Sequence, residues 1–144
     1  MKKPIFTITR EIDVPIGHRL MKHFGKCAFC HGHNIKCKVE IGSLTLNSND
    51  MVMDFHDLDK FLKEMLAKWD HGMLLNSNDP MIKDHQNVVK FYDSDPTAER
   101  MAEYIYLTLL SHLPAGVDPI RVTVFENDKS SATYQRVPDS MVKI

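Results

Sequence analysis

From residue 5 to residue 14 apolar and polar residues alternate, with Phe6, Ile8, Arg10, Ile12 and Val14 on one side. Alternation with period two marks a half-buried strand, and this segment is predicted to be one. Residues 35–44 repeat the pattern and predict a second strand. Asn47, Ser48, Asn49 and Asp50 predict a turn over residues 46–50, and residues 51–55 read as a short third strand. The period then changes. Leu58, Phe61, Leu62, Met65, Leu66 and Trp69 recur at helical spacing, which predicts an amphipathic helix over residues 56–69. Residues 70–80 are rich in turn formers and read as a loop, and residues 88–92 are apolar enough for a short strand. Pro96 and Thr97 open a second helix that runs to about His112, where Pro114 and Gly116 stop it. Residues 120–126 alternate as a strand, residues 132–136 add a last one, and the tail from Val137 is expected to be loose.

This order predicts an α+β fold, an antiparallel sheet with two helices on one face. Sheet edges must be covered or paired, and pairing them between subunits predicts a homo-oligomer. A chain of 144 residues is long enough for a real core and is expected to form a single domain over 1–144. The formal net charge of −1 argues against broad nucleic-acid binding, which runs on excess Lys and Arg. No apolar run approaches membrane-spanning length, and the opening Lys-Lys-Pro is unlike a secretory leader. Three cysteines are an odd count, read as reduced thiols of a cytoplasmic protein.

The densest candidate chemistry lies around His31, Gly32 and His33. Residues two apart on a strand share a face, so the two imidazoles project side by side. Together they can chelate one ion, and His18 as a third ligand leaves a coordination position open, as in catalytic zinc sites. A His-x-His pair also arises by chance, so its surroundings decide its weight. Cys27 lies just upstream, outside the ligand set, and a neighbouring cation or metal favours the reactive thiolate. Cys30 can serve as an extra metal ligand, but its strand parity opposes that of His31 and His33, and core or surface packing is the preferred account; Cys37 is assigned to the core. Asp70 beside His71 can fix the ring's tautomer and raise its basicity, though the pair also suits a loop that ends a helix. Thr97 can cap the second helix, and Glu99 in its first turn suits the helix dipole. Glu126 ends an alternating strand. A carboxylate there can accept two hydrogen bonds from a guanidine-like edge, or can simply be solvated.

Taken in order, these segments resemble the 6-pyruvoyl-tetrahydropterin synthase family over residues 6–126. Gly17-His18-Arg19-Leu20 is similar to its first zinc-histidine segment. Cys27-Ala28-Phe29-Cys30-His31-Gly32-His33 is similar to its pattern of cysteine, three residues and His-Gly-His. Met53-Asp54-Phe55 with Leu58 resembles the stretch before the first helix, and Asp70-His71, Pro96-Thr97-Ala98-Glu99 and Glu126 resemble three later motifs. The short spacing between cysteine and His-Gly-His resembles the bacterial 6-carboxy-tetrahydropterin synthase branch. Pro15-Ile16-Gly17 and Gly72 depart from the usual residues without touching the ligand positions.

The resemblance implies the tunnelling fold, a four-stranded antiparallel sheet with two helices that assembles into barrel-like trimers and hexamers with active sites between subunits. It implies Zn2+ on His18, His31 and His33. It implies catalytic roles for Cys27, Asp70 and His71, and pterin binding at Glu126 with help from Thr97 and Glu99. The implied substrate is a pterin triphosphate, 7,8-dihydroneopterin triphosphate, with no nucleic-acid or membrane partner. Lys22 and Lys26 are candidate phosphate contacts, with solvated charge the preferred account.

Overall fold

The computed structural model describes residues 5–136, and the tail from Val137 lies outside the described residues. Strands β1 (Phe6–His18) and β2 (His31–Ser43) form a long antiparallel pair. Helix α1 (Phe55–Met65) follows, then β3 (Gly72–Asn76), β4 (Val88–Phe91), helix α2 (Ala98–His112), β5 (Val117–Asn127) and β6 (Ser130–Gln135). The sheet order is β4-β3-β1-β2-β5-β6.

Alternation decides which face of the sheet is dry. Ile12, Val14 and Ile16 of β1 stand with Ile35, Cys37, Val39 and Ile41 of β2 and Val122 and Val124 of β5, all buried. Leu58 and Leu62 of α1 and Met101, Ile105 and Leu109 of α2 belong to the same cluster, so both helices cover one face, as expected. Each such fully buried side chain contributes about 1.5–3 kcal/mol relative to an exposed one. The other face carries Glu11, Asp13, Lys36 and Lys38 and stays open. Arg10 shares the core parity but lies near the rim, and its Nε and NH2 groups donate to Asp59 Oδ1 on α1 at 3.1 and 2.9 Å. Cys37 is a core residue, as its parity predicts, and burial pushes its thiol up to about 12. No described helix is long and apolar enough to cross a membrane.

The sheet corrects three expectations. Among the described residues it has six strands rather than four, and it is mixed. The pairs β1–β2, β2–β5 and β5–β6 are antiparallel, but β3 joins β1 in parallel and β4 joins β3 in parallel. Residues 70–80 are therefore not all loop. The run Gly-Met-Leu-Leu-Asn of β3 does not alternate because four of its five residues are buried, the pattern of a covered parallel strand. Gly72 is required where the chain enters β3: a Cβ there would stand 2.4 Å from the Lys68 carbonyl oxygen.

Residues 51–55, expected as a strand, are instead the approach to α1. Asp54 is its N-cap, with Oδ1 accepting from His56 N at 2.7 Å. A cap of this kind contributes about 1 kcal/mol and outweighs the weak strand tendency of five residues. α1 also stops at Met65, short of Trp69, though Leu66 and Trp69 remain buried in the following turns. α2 begins after Thr97 and ends at His112, and Gly116, at φ 84°, makes the turn into β5. β1 and β2 each extend beyond the predicted ends, through Pro15 to His18 and back to His31.

Candidate metal centre and active site

The three histidines meet because of strand register. His18 is directly opposite His31, and Ile16 is opposite His33, which puts all three rings on the core-side face at one end of the β1–β2 pair. Their ring centroids are 4.5, 5.0 and 5.0 Å apart, nearly an equilateral triangle. One ligating atom from each lies within 4.8 Å of the others. Among the described residues, no other group of three or more His, Cys, Asp or Glu side chains converges in this way.

Hydrogen bonds settle which nitrogens face inward. His18 Nδ1 lies 2.8 Å from the Pro96 carbonyl and His31 Nδ1 lies 2.7 Å from the Phe29 carbonyl. A carbonyl only accepts, so each Nδ1 carries the proton and donates it, and each Nε2 keeps its lone pair. His18 Nε2 is buried with no hydrogen-bond partner among the described residues. Such an orphan costs about 1–3 kcal/mol in a protein interior. A metal ion at the triangle's centre satisfies it, so the residues present fit the group. Backbone carbonyls holding Nδ1–H are the outer contacts that orient metal-binding imidazoles. Burial, the largest influence, holds the His18 pKa below the ordinary value, partly opposed by the Pro96 hydrogen bond. His18 is therefore neutral near pH 7, the form that binds metals.

Glu126, at the end of β5, brings a carboxylate to the same place: its Oε2 is 3.9 Å from His33 Nε2, too far for a hydrogen bond. Glu126 and Glu99 line one cavity of about 380 Å³ with Ala98 and Ser130–Thr133 at the β5–β6 turn. That volume is within the range of small-molecule sites. Thr97 does not join them. Its hydroxyl accepts from Arg100 N at 3.1 Å as the α2 cap, and the residue opens onto a different cavity with Lys22, Asp95 and Arg100.

Cys27 is half-buried in a one-turn 3-10 helix, Lys26–Ala28, within the connection from β1 to β2. Its carbonyl accepts from Leu20 N at 2.8 Å. Lys22 and Lys26 are exposed. Two acids invisible to sequence reasoning hold this connection. Asp79 takes a forked pair of bonds from Arg19, at 2.6 Å from Nε and 2.7 Å from NH2, while Arg19 NH1 also donates to the Ala28 carbonyl at 3.3 Å. Asp95, also buried, accepts from Lys22 N at 2.9 Å and from Asn76 Nδ2 at 3.1 Å. The sole local clue to Asp79 is the Asp-Pro step, and its partner is remote in sequence.

Asp70 and His71 do bond side chain to side chain, Oδ1 to Nδ1 at 2.5 Å, despite being neighbours. The left-handed backbone of His71, at φ 58°, permits it, and His71 N donates to the Pro15 carbonyl at 2.8 Å. The His71 ring is 82 % exposed and lines a cavity with Pro15, Gly17 and Met73. Those residues have the parity opposite to His18, so His71 opens on the face of the sheet away from the three imidazoles.

Residues 7–137 match the family model described as 6-pyruvoyl tetrahydropterin synthase. The chain belongs to the 6-pyruvoyl tetrahydropterin synthase family. Within the family it is similar to the 6-carboxy-5,6,7,8-tetrahydropterin synthase of Aquifex aeolicus, 34% identical over 127 residues that cover 79% of this chain and 78% of the relative. It is also similar to the human 6-pyruvoyl tetrahydrobiopterin synthase, 31% identical, with 89% and 90% covered. Among solved structures, the 6-pyruvoyl tetrahydropterin synthase of Caenorhabditis elegans superposes with a TM-score of 0.70 at 26% identity, covering 95% of this chain and 99% of that one. An uncharacterized protein of Wolinella succinogenes superposes with a TM-score of 0.78 at 23% identity, covering 92% and 98%, and shows the shared fold alone. Family membership makes the protein a tetrahydropterin synthase in kind, and the three histidines are a set able to hold a metal ion.

Proposed function

We propose that this protein is a zinc-dependent 6-carboxy-5,6,7,8-tetrahydropterin synthase that acts in the cytoplasm, in queuosine and 7-deazapurine biosynthesis. It converts 7,8-dihydroneopterin triphosphate and one water to 6-carboxy-tetrahydropterin, acetaldehyde and triphosphate. The observation that carries the reading is the buried, unpartnered Nε2 of His18 inside a triangle of imidazoles, with the Glu126 carboxylate 3.9 Å from one of them. Relatives of that name at 30–35% identity support the choice of product.

His18, His31 and His33 hold the zinc. Bound there, zinc supplies Lewis-acid charge that acidifies C–H bonds beside the substrate's side-chain oxygens. Glu126 accepts two hydrogen bonds from the pterin's N3–H and 2-amino group and so fixes which end of the substrate faces the histidines. Glu99, in the same cavity, and Thr97, at the neighbouring helix end, assist that binding. Cys27, as thiolate, removes a proton from the activated carbon. His71, oriented by Asp70, moves protons on the other side.

One chain does not present all these groups to one point, because His71 faces away from the imidazoles. Cys27 and His71 therefore meet between chains, in a homo-oligomeric trimer or hexamer. Exposed Phe24 and Phe29 on the connection that carries Cys27 support such burial.

The human relative's name supports a second reading, conversion of the same substrate to the 6-pyruvoyl product without side-chain cleavage. Mass analysis of products from zinc-loaded protein and dihydroneopterin triphosphate separates the two. Acetaldehyde with a 6-carboxy product is expected; an intact three-carbon side chain selects the pyruvoyl reaction, and unchanged substrate refutes both.

A further inference from the structure

A second group of ligand-type side chains converges on the far side of β1 and β2 from the imidazoles. Cys30 Sγ lies 4.0 Å from Met81 Sδ and 3.8 Å from His85 Nε2. Cys30 immediately precedes β2, and His85 lines the cavity that Pro15, Gly17 and His71 line on the face away from the imidazoles. Met81 lies in the 3-10 helix Pro80–Asp84, and His85 is that helix's C-cap. The three donors thus come from two segments far apart in sequence.

Their spacing suits an ion. Three ligands about 2.0–2.3 Å from one metal and about 120° apart stand about 3.7–4.0 Å from each other. The Cys30–Met81 and Cys30–His85 separations agree with that. The framework is braced before any ion arrives. Asp79 Oδ1 accepts from Met81 N at 2.9 Å, and the same carboxylate is clamped by Arg19, whose NH1 also reaches the Ala28 carbonyl. One part-buried ion pair therefore sets the segment bearing Met81 and His85 against the segment bearing Cys30.

The donor types choose the metal. A thioether is a poor ligand for Zn2+ and a good one for Cu(I), and a thiol with an imidazole completes a soft set. We propose that Cys30, Met81 and His85 form a three-coordinate Cu(I) site, separate from the three-imidazole centre. Binding involves no change of oxidation state: Cys30 Sγ loses its proton to solvent, and the thiolate, thioether and imidazole each donate an electron pair to Cu(I). Cys30 is exposed in the single chain.

The test is anaerobic titration of the zinc-loaded protein with Cu(I) against a colorimetric Cu(I) chelator, with zinc measured in parallel. About one Cu(I) per chain is expected, with zinc retained, and X-ray absorption of the loaded protein should show two sulfurs and one nitrogen around copper. Cys30→Ser should weaken Cu(I) binding roughly 10²-fold, and Met81→Leu, which keeps the thiol and the apolar volume, roughly 10-fold. Wild-type Cu(I) affinity in both variants overturns the site, as does a copper shell without sulfur. Copper bound only as zinc leaves also overturns it, because the ion is then in the imidazole set.

Discussion

The imidazole triangle and the Asp70–His71 pair flank the same stretch of β1, on opposite faces, and are built in opposite ways. The triangle is made by register. Two adjacent antiparallel strands place three rings within 5.0 Å, two of them held by backbone carbonyls, and His18 is 1 % exposed. The pair is made by a turn. Its imidazole is mostly solvent-exposed, its backbone is left-handed, and its one fixed partner is the neighbouring aspartate. A metal site can be completed inside one chain because strand pairing is intramolecular and cooperative. The proposed proton-transferring pair, which faces the other way, would meet its substrate at a junction between chains.

The largest effect separates the two regions outright. His31→Ala should reduce zinc from about one ion per chain to none and abolish turnover, while the far-ultraviolet spectrum stays that of the folded sheet. His71→Ala should lose turnover and keep its zinc. Metal analysis that finds zinc retained in His31→Ala removes the proposed ligand set.

Cys27→Ala should keep zinc and assembly but lose roughly 10²-fold or more in turnover, the scale for a positioned general base. Mixing inactive Cys27→Ala and His71→Ala chains should then restore part of the activity, since intact pairs of the two groups form between unlike chains. No recovery after verified subunit exchange would place both groups in one chain and end the contrast drawn here.

A smaller effect concerns how the Cys27 connection is anchored. Arg19→Ala leaves the buried Asp79 carboxylate with its Met81 N–H bond but without its ion-pair partner, and should cost about 3–5 kcal/mol in a denaturant titration. The Arg19 hydrogen bonds hold the Asp79 carboxyl below the ordinary aspartate value. The pair's stabilisation is therefore present above about pH 4 and is lost as pH falls through the lowered folded pKa. An unchanged midpoint in Arg19→Ala at pH 7 would show that the ion pair does not brace the connection.

The smallest concerns the thiols. Burial pushes Cys37 up to about 12, so at pH 8 it should resist iodoacetamide in the native protein while Cys27 and Cys30 are alkylated. Its folded pKa is raised, so the associated stability is intact at lower pH and declines as pH rises from the unfolded thiol value toward 12. Peptide mapping that finds Cys37 labelled without denaturant would contradict the buried position.

Periodicity along the chain was sufficient for β1, β2, β5 and both helices, because each buries one face and leaves the other wet. The shared face of His31 and His33 followed from the same alternation. Residues 70–80 were opaque because β3 is buried on both sides, which erases alternation, and because its partners are parallel strands distant in sequence. Residues 51–55 misled because local strand tendency cannot reveal that Asp54 caps a helix. The chain likewise held no clue that Arg19 would clamp Asp79, that Asp95 would hold Lys22 and Asn76, or that Cys30 would meet Met81 and His85. Those contacts join segments whose separation along the chain is set by folding rather than by any repeat. Local pattern reports which side of an element is dry. Register and loop packing, which depend on the sum of many long-range contacts, decide which polar groups end up facing one another.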